Sequence, residues 1–162
     1  MASPLILDFP PHLGAPGSAD APFEPVLPLD ELPLGAMARI TRGDLDVLVV
    51  HTEAGLVAVE DRCPHMSAPL SAGRLEDCTL HCPLHRGAFD LRDGEVVTFP
   101  TTGGLTADGE YRPTWTPEGK TPKAPLRTDD PKAQARALTR VRRLRYFPLR
   151  VTGDVVEIAW PR

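Results

Sequence analysis

Apolar and polar positions along the chain mark out short strands separated by turns. Val47-Leu48-Val49-Val50 is a β-branched run, Glu53-Ala54-Gly55 is a turn, and Leu56-Val57-Ala58-Val59 is the returning strand. Two apolar runs joined through glycine predict a hairpin. Gly35 and Gly43 punctuate the strands before it, so residues 26–62 read as a β-meander. Leu75 to Cys82 alternates, which in a strand puts Cys78, Leu80 and Cys82 on one face and Asp77, Thr79 and His81 on the other. Ala88-Phe89-Asp90-Leu91, the Asp93-Gly94 turn pair and Val96-Val97 predict another strand–turn–strand unit.

The rhythm breaks over 101–140, where Gly103-Gly104, Pro113, Pro117, Gly119, Pro122 and Pro125 predict a long loop. Asp130-Pro131 then opens a short helix, with Asp130 as the N-cap and Pro131 at the first helical position. Leu138, Val141 and Leu144 recur every third residue, which suits one packed helix face. A strand from about Leu144 to Val151, the Gly153-Asp154 turn and Val155–Ile158 close the chain. There is no internal repeat.

Length and composition bound this picture. The chain has 162 residues, 41% of them hydrophobic and 25% charged, which suits one domain with a modest core. Nineteen prolines disfavour sheet interiors and helix interiors, so much of the backbone is expected in loops, turns and edges. Six of them fall in residues 1–25, which read as an extended or poorly ordered tail preceding a single domain over 26–162. No apolar run approaches the roughly 20 residues of a spanning helix. The first basic residue is Arg39, so no export signal is visible and a cytoplasmic protein is expected.

The formal net charge is −4, which does not favour nucleic acid or an anionic membrane. The charge is uneven, however. Residues 101–145 carry ten Lys/Arg and five Asp/Glu, a balance of +5, against −9 for the rest. Arg136, Arg140, Arg142, Arg143 and Arg145 are concentrated at the end of this segment. They form either a solvated basic face or a surface that docks an acidic partner. The stretch lacks a recognised nucleic-acid module and interleaved aromatics.

Three cysteines, Cys63, Cys78 and Cys82, are an odd count that does not suggest a disulfide framework. Cys63-Pro64-His65 and Cys82-Pro83-Leu84-His85 form C-x-H and C-x-x-H, sixteen residues apart. Two thiolates and two imidazoles bind either zinc or a mixed-ligand iron–sulfur cluster, and the donor set alone does not decide. Each loop offers one Cys and one His, where a zinc finger usually pairs like with like. Both loops carry Pro directly after Cys, and Gly87 follows the second, a composition that lets backbone N–H groups approach sulfur. Met66, Pro69, Leu70, Leu84 and Phe89 offer apolar shielding. Cys78 and His81 form a second C-x-x-H without the Pro and Gly, and Cys78 is expected as a buried structural residue.

The segments Cys63-Pro-His-Met-Ser-Ala-Pro-Leu-Ser-Ala-Gly73 and Cys82-Pro-Leu-His-Arg-Gly-Ala-Phe-Asp-Leu-Arg-Asp-Gly94 closely resemble the double motif of the Rieske family, in its ferredoxin branch. The resemblance covers most of 26–100 and 141–160. It implies an all-β fold: antiparallel sheets with a small cluster-binding subdomain built from loops 63–70 and 82–89, here with a loop and short-helix insertion at about 101–140. It also implies one [2Fe–2S] cluster, with Cys63 and Cys82 on the buried iron and His65 and His85 on the outer iron. The high-potential branch of the family has a disulfide between its cluster loops and two hydroxyls bonded to sulfur. The matching positions here are Ala68 and Leu84, and Gly87 and Phe89. The resemblance therefore implies a potential near the low end of the Rieske range, about −150 mV.

Functionally, the resemblance implies a soluble carrier passing single electrons from a reductase to an oxygenase-type partner. Two alternatives stay open: a small redox subunit of a larger oxidoreductase, similar to the nitrite reductase small subunit, and a structural zinc-binding interaction module. No histidine follows His85, so the two-His-one-carboxylate iron site of an oxygenase has no ligands here, and no activity is expected of the chain alone.

Overall fold

In the computed structural model, residues 4–161 are described. In chain order the strands are β1 (Phe23–Pro28), β2 (Met37–Arg42), β3 (Leu45–Thr52), β4 (Gly55–Glu60), β5 (Arg74–Glu76), β6 (Thr79–His81), β7 (Ala88–Asp90), β8 (Val96–Thr98), β9 (Gly104–Leu105) and β10 (Tyr111–Arg112). Helix α1 (Pro131–Leu138) is followed by β11 (Tyr146–Phe147), β12 (Leu149–Thr152) and β13 (Val155–Ala159). The all-β expectation holds. Strands β11-β4-β3-β2 form a central sheet, β1-β13-β12 a second, β5-β6-β7-β8 a third, and β9-β10 a two-stranded ribbon.

The central sheet is covered on both faces, which explains why β3 and β4 are continuously apolar. Alternate side chains of one strand point to opposite faces. Val47, Val49, Leu56 and Ala58 pack with Phe147, Val156, Ile158 and Trp160 toward the β1-β13-β12 sheet. Leu48, Val50, Val57 and Val59 pack with Leu70, Leu80, Phe89, Leu91 and the two cysteines Cys63 and Cys82. The predicted β3–β4 hairpin is present in register, Val50 opposite Val57 and Thr52 opposite Gly55.

Tyr146 joins the central sheet to the third. Its ring is fully buried, and its hydroxyl donates to the Leu91 carbonyl at 2.6 Å. Burial pushes the phenol's pKa up, so the group remains a donor well into the alkaline range.

Four expectations are corrected. The 1–25 tail is extended but not loose: Leu7 N–H donates to Leu56 O at 2.9 Å, Ala15 N–H to Tyr146 O at 2.7 Å, and Phe9 stacks on Tyr146 at 4.8 Å. Prolines keep it out of a ladder, yet its apolar residues find the open edge of the core. Residues 1–3 of that tail lie outside the described residues, and β1 begins at Phe23, inside the expected tail. The segment 75–82 is a hairpin and not one strand, turning at Asp77 with φ 53°, so Cys78 sits half-buried in the turn. Helix α1 ends at Leu138, which is 73% exposed, because Thr139 leaves helical geometry at ψ 118°. Val141 and Leu144 are buried from an extended segment instead. The strand expected over 144–151 is broken at Pro148, between β11 and β12, which belong to different sheets. The expected cap is present: Asp130 Oδ1 accepts from Lys132 N–H at 2.7 Å.

Candidate metal centre

The two candidate loops are built alike. The Cys63 N–H donates to Ala68 O at 2.7 Å, and the Cys82 N–H donates to Gly87 O at 2.8 Å. Each loop thus closes from its cysteine onto the carbonyl five residues later. In each, the fourth residue after the cysteine is left-handed, Ser67 at φ 63° and Arg86 at φ 60°, joined in the second loop by His85 at φ 54°. A side chain in that region is strained and persists where surrounding structure holds it. The strain falls on these residues and not on Gly87, where an added Cβ meets only Phe89 and Pro100 at 3.5 Å.

Each loop is anchored by its neighbours. Asp61, at the end of the β4 hairpin, is buried and spans the first loop: its carboxylate accepts from Ser71 N–H at 2.7 Å and Ser71 Oγ at 2.6 Å, and pairs with Arg39 at 3.2 Å. Sequence reasoning missed Asp61; the available signal was a carboxylate directly after an apolar strand and two residues before a cysteine. Gly73 permits the approach of the first loop to β6, because a Cβ there would lie 1.8 Å from His81 O.

Cys63 and Cys82 come together inside the core, their thiols within hydrogen-bonding reach of each other. A hydrogen bond between them lowers the Cys82 pKa to about 7, while the same bond and burial raise Cys63. Backbone N–H groups of His65 and Met66 face the Cys63 sulfur, and that of Leu84 faces Cys82. His65 and His85 lie outward of the thiols, half-buried, with ring centroids 5.2 Å apart and edge-on. Burial, and then the neighbouring His85, lower the His65 pKa to about 4, so the ring is neutral at pH 7 and keeps a free lone pair.

Among the described residues, no three His, Cys, Asp or Glu side chains surround one point that could hold a lone metal ion. The four donors instead form two pairs, thiols inward and imidazoles outward. Paired donors and N–H groups aimed at sulfur fit a two-iron cluster. Of the five residues expected to shield it, Leu70 and Phe89 are fully buried, whereas Met66, Pro69 and Leu84 are exposed near the histidines.

The insertion is part of this centre. The Thr102 hydroxyl lies 3.2 Å from His65 Nε2, Thr101 N–H donates to His85 O at 2.8 Å, and Arg142 N–H donates to Pro64 O at 3.3 Å. The expected arginine cluster is dispersed. Arg143 pairs with Glu95 at 2.6 Å and Asp108 at 3.1 Å, Arg145 with Glu60 at 3.7 Å, and Arg140 donates to Ala107 O. His81 lies 3.4 Å from Glu76 on the surface of β6, and His51 Nδ1 meets Leu32 O at 2.8 Å; neither joins the centre. Among the described residues, no helix is long and apolar enough to cross a membrane.

Residues 23–109 match the Rieske [2Fe–2S] domain family. A 3-phenylpropionate/cinnamic acid dioxygenase ferredoxin subunit of Photorhabdus laumondii is 41% identical over 81 residues, which is 49% of this chain and 76% of that protein. The subunit of the same name from Escherichia coli K12 is 35% identical over 80 residues, 49% of this chain and 74% of that protein. The ferredoxin of carbazole 1,9a-dioxygenase from Nocardioides aromaticivorans superposes with a TM-score of 0.54 at 21% identity, over 86% of this chain and 98% of that one. The Sphingomonas yanoikuyae B1 ferredoxin does so with a TM-score of 0.56 at 14% identity, over 86% of this chain and all of that one.

Proposed function

We propose, from the premise that this chain belongs to the Rieske [2Fe–2S] domain family, that it carries single electrons from a reductase to an oxygenase-type partner. In this reading Cys63 and Cys82 hold the inner iron of one cluster, and His65 and His85 hold the outer iron. The observation that carries it is the pair of matched loops, which sets two thiols in the core and two imidazoles at its boundary. The relatives named as dioxygenase ferredoxin subunits support the choice of partners.

The cluster, when bound, supplies a one-electron ferric–ferrous couple. The chain's residues do the rest. The N–H groups of His65, Met66 and Leu84 stabilise negative charge on the ligating sulfurs. An imidazole that ligates through one nitrogen keeps its proton on the other. With Nε2 of His65 facing Thr102, Nδ1 is the nitrogen left to bind iron, and the Thr102 oxygen accepts the Nε2 proton. Leu70 and Phe89 exclude water from the inner side, and the half-buried imidazoles give an electron a short path to the surface. With Cys63 and Cys82 taken by the cluster, Cys78 has no disulfide partner, which suits a reducing compartment and supports a cytoplasmic location.

The test is an anaerobic reductive titration of the purified chain, with iron and acid-labile sulfide assayed on the same sample. The expected result is one electron per two irons and two sulfides, returned on mixing with the oxygenase component of a dioxygenase system. A chain that holds one zinc and takes up no electron overturns the reading.

A further inference from the structure

We propose that the insertion and the second cluster loop form a cationic groove that docks an acidic segment of a redox partner against His85. This deepens the electron-carrier reading and rests on it. A cleft of about 890 Å³ opens beside the metal centre, and His85, Arg86, Trp115, Lys120, Lys123 and Arg136 are among the residues that line it. No aspartate or glutamate lines it.

The four cations are also unpaired. Among the described residues, Arg86, Lys120, Lys123 and Arg136 make no ion pair, whereas Arg39, Arg42, Arg62, Arg74, Arg92, Arg112, Arg127, Arg143, Arg145 and Arg150 each meet a carboxylate. The chain has 22 acidic residues and a net charge of −4, yet none of those acids reaches this cleft. Concave walls of one sign focus the field and raise the local concentration of an oppositely charged ligand. A carboxylate entering here meets like-signed cations and no acidic residue in the lining.

The groove has a fixed wall for it. Trp115 is held by Nε1–H to Phe99 O at 2.8 Å and by its backbone N–H to Thr101 O at 3.1 Å. Thr101 in turn donates to His85 O, so the groove and the outer ligand are linked through one residue. A nucleic acid fits less well. A polyanion longer than the cleft runs onto a surface whose balance outside 101–145 is −9, while a short acidic segment of a protein does not.

The proposal inverts the sign of a measurable salt effect. A protein of net charge −4 repels anions at long range, so oxidation by an anionic oxidant speeds up with salt if overall charge governs. If the groove governs, it slows down. The probe is ferricyanide, which takes one electron from the reduced cluster to become ferrocyanide, with no proton moved. Stopped-flow oxidation of the full reduced chain is expected to slow at least about threefold between about 10 and 200 mM NaCl. Lys120→Glu with Lys123→Glu and Arg136→Glu is expected to reverse the slope, with the visible spectrum unchanged. The milder triple change to Gln serves if that variant misfolds, and is expected to flatten it. A wild-type rate that rises with salt, or a slope unchanged in a folded triple variant, overturns the proposal.

A second arm needs no cluster, so its outcome is separable from failure of the carrier reading. A hexaglutamate peptide is expected to bind saturably, followed by the fluorescence of Trp115 with Trp115→Phe as the signal control, and to lose binding in the triple variant. Absence of binding overturns the groove. Tighter binding of a thymidine hexanucleotide than of the peptide overturns the assignment to a protein partner.

Discussion

Replacing Tyr146 with Phe isolates one hydrogen bond that ties the metal-binding sheet to the central sheet. The ring is fully buried and stacks on Phe9 at 4.8 Å, and both features survive the change. What is lost is the hydroxyl that donates to Leu91 O at 2.6 Å. The apolar area buried stays nearly constant, so the hydrophobic contribution cancels between wild type and variant. The carbonyl of Leu91 is left without its donor in a dry site, which costs about 1–3 kcal/mol. For a chain of this size each kcal/mol moves the midpoint by about 2–4 °C. Tyr146→Phe is therefore expected to lower the Tm by about 2–12 °C. The assay is guanidinium unfolding of the loaded protein followed by far-UV circular dichroism, with a thermal scan beside it. The denaturation midpoint is expected to fall with the m-value unchanged. A loss below about 0.5 kcal/mol would refute the reasoning, because it would mean that the carbonyl finds another partner at no cost.

Other substitutions test the loops. Asp61→Ala removes the carboxylate that accepts from Ser71 N–H and Oγ, and is expected to cost about 1–3 kcal/mol and to lower iron content per chain, measured by metal analysis. Gly73→Ala places a Cβ 1.8 Å from His81 O, and is expected to cost at least about 1–3 kcal/mol in a denaturant titration by forcing β6 away from the first loop. Thr102→Val removes the acceptor at His65 Nε2; the potential, measured by redox titration, is expected to rise by no more than about 60 mV, with two irons retained and Thr102→Ser restoring it.

Much of the centre was legible in the sequence because its chemistry sits in local motifs. Cys63, His65, Cys82 and His85 fall in short loops whose Pro and Gly neighbours announce a tight backbone, and the structure brings the two cysteines together and the two histidines together. The β3–β4 hairpin and the Asp130 cap were legible for the same reason, since each depends on contacts within a few residues. What escaped depends on distant partners. Thr102 meets His65 across 37 positions, and nothing near Thr102 in sequence marks it. Asp61 looks like any polar residue after a strand until Ser71 closes onto it. Leu138, Val141 and Leu144 suit a helix face by spacing, but Val141 N–H is taken by Leu105 O, which fixes an extended backbone there. The arginines of 136–145 looked like one patch because sequence shows charge density and not pairing; Glu95, Asp108 and Glu60 neutralise two of them from other parts of the chain.

The measurement that bears most directly on the central claim is the EPR spectrum of the dithionite-reduced chain, purified without added metal, with nitrogen couplings resolved by pulsed methods. The account predicts a red-brown protein with a Rieske-type signal coupled to two imidazole nitrogens. His65→Ala and His85→Ala are each expected to remove one coupling or the whole signal, and Cys78→Ala to leave it unchanged. A colourless, EPR-silent protein with stoichiometric zinc, or a cluster signal with no nitrogen coupling, would contradict it.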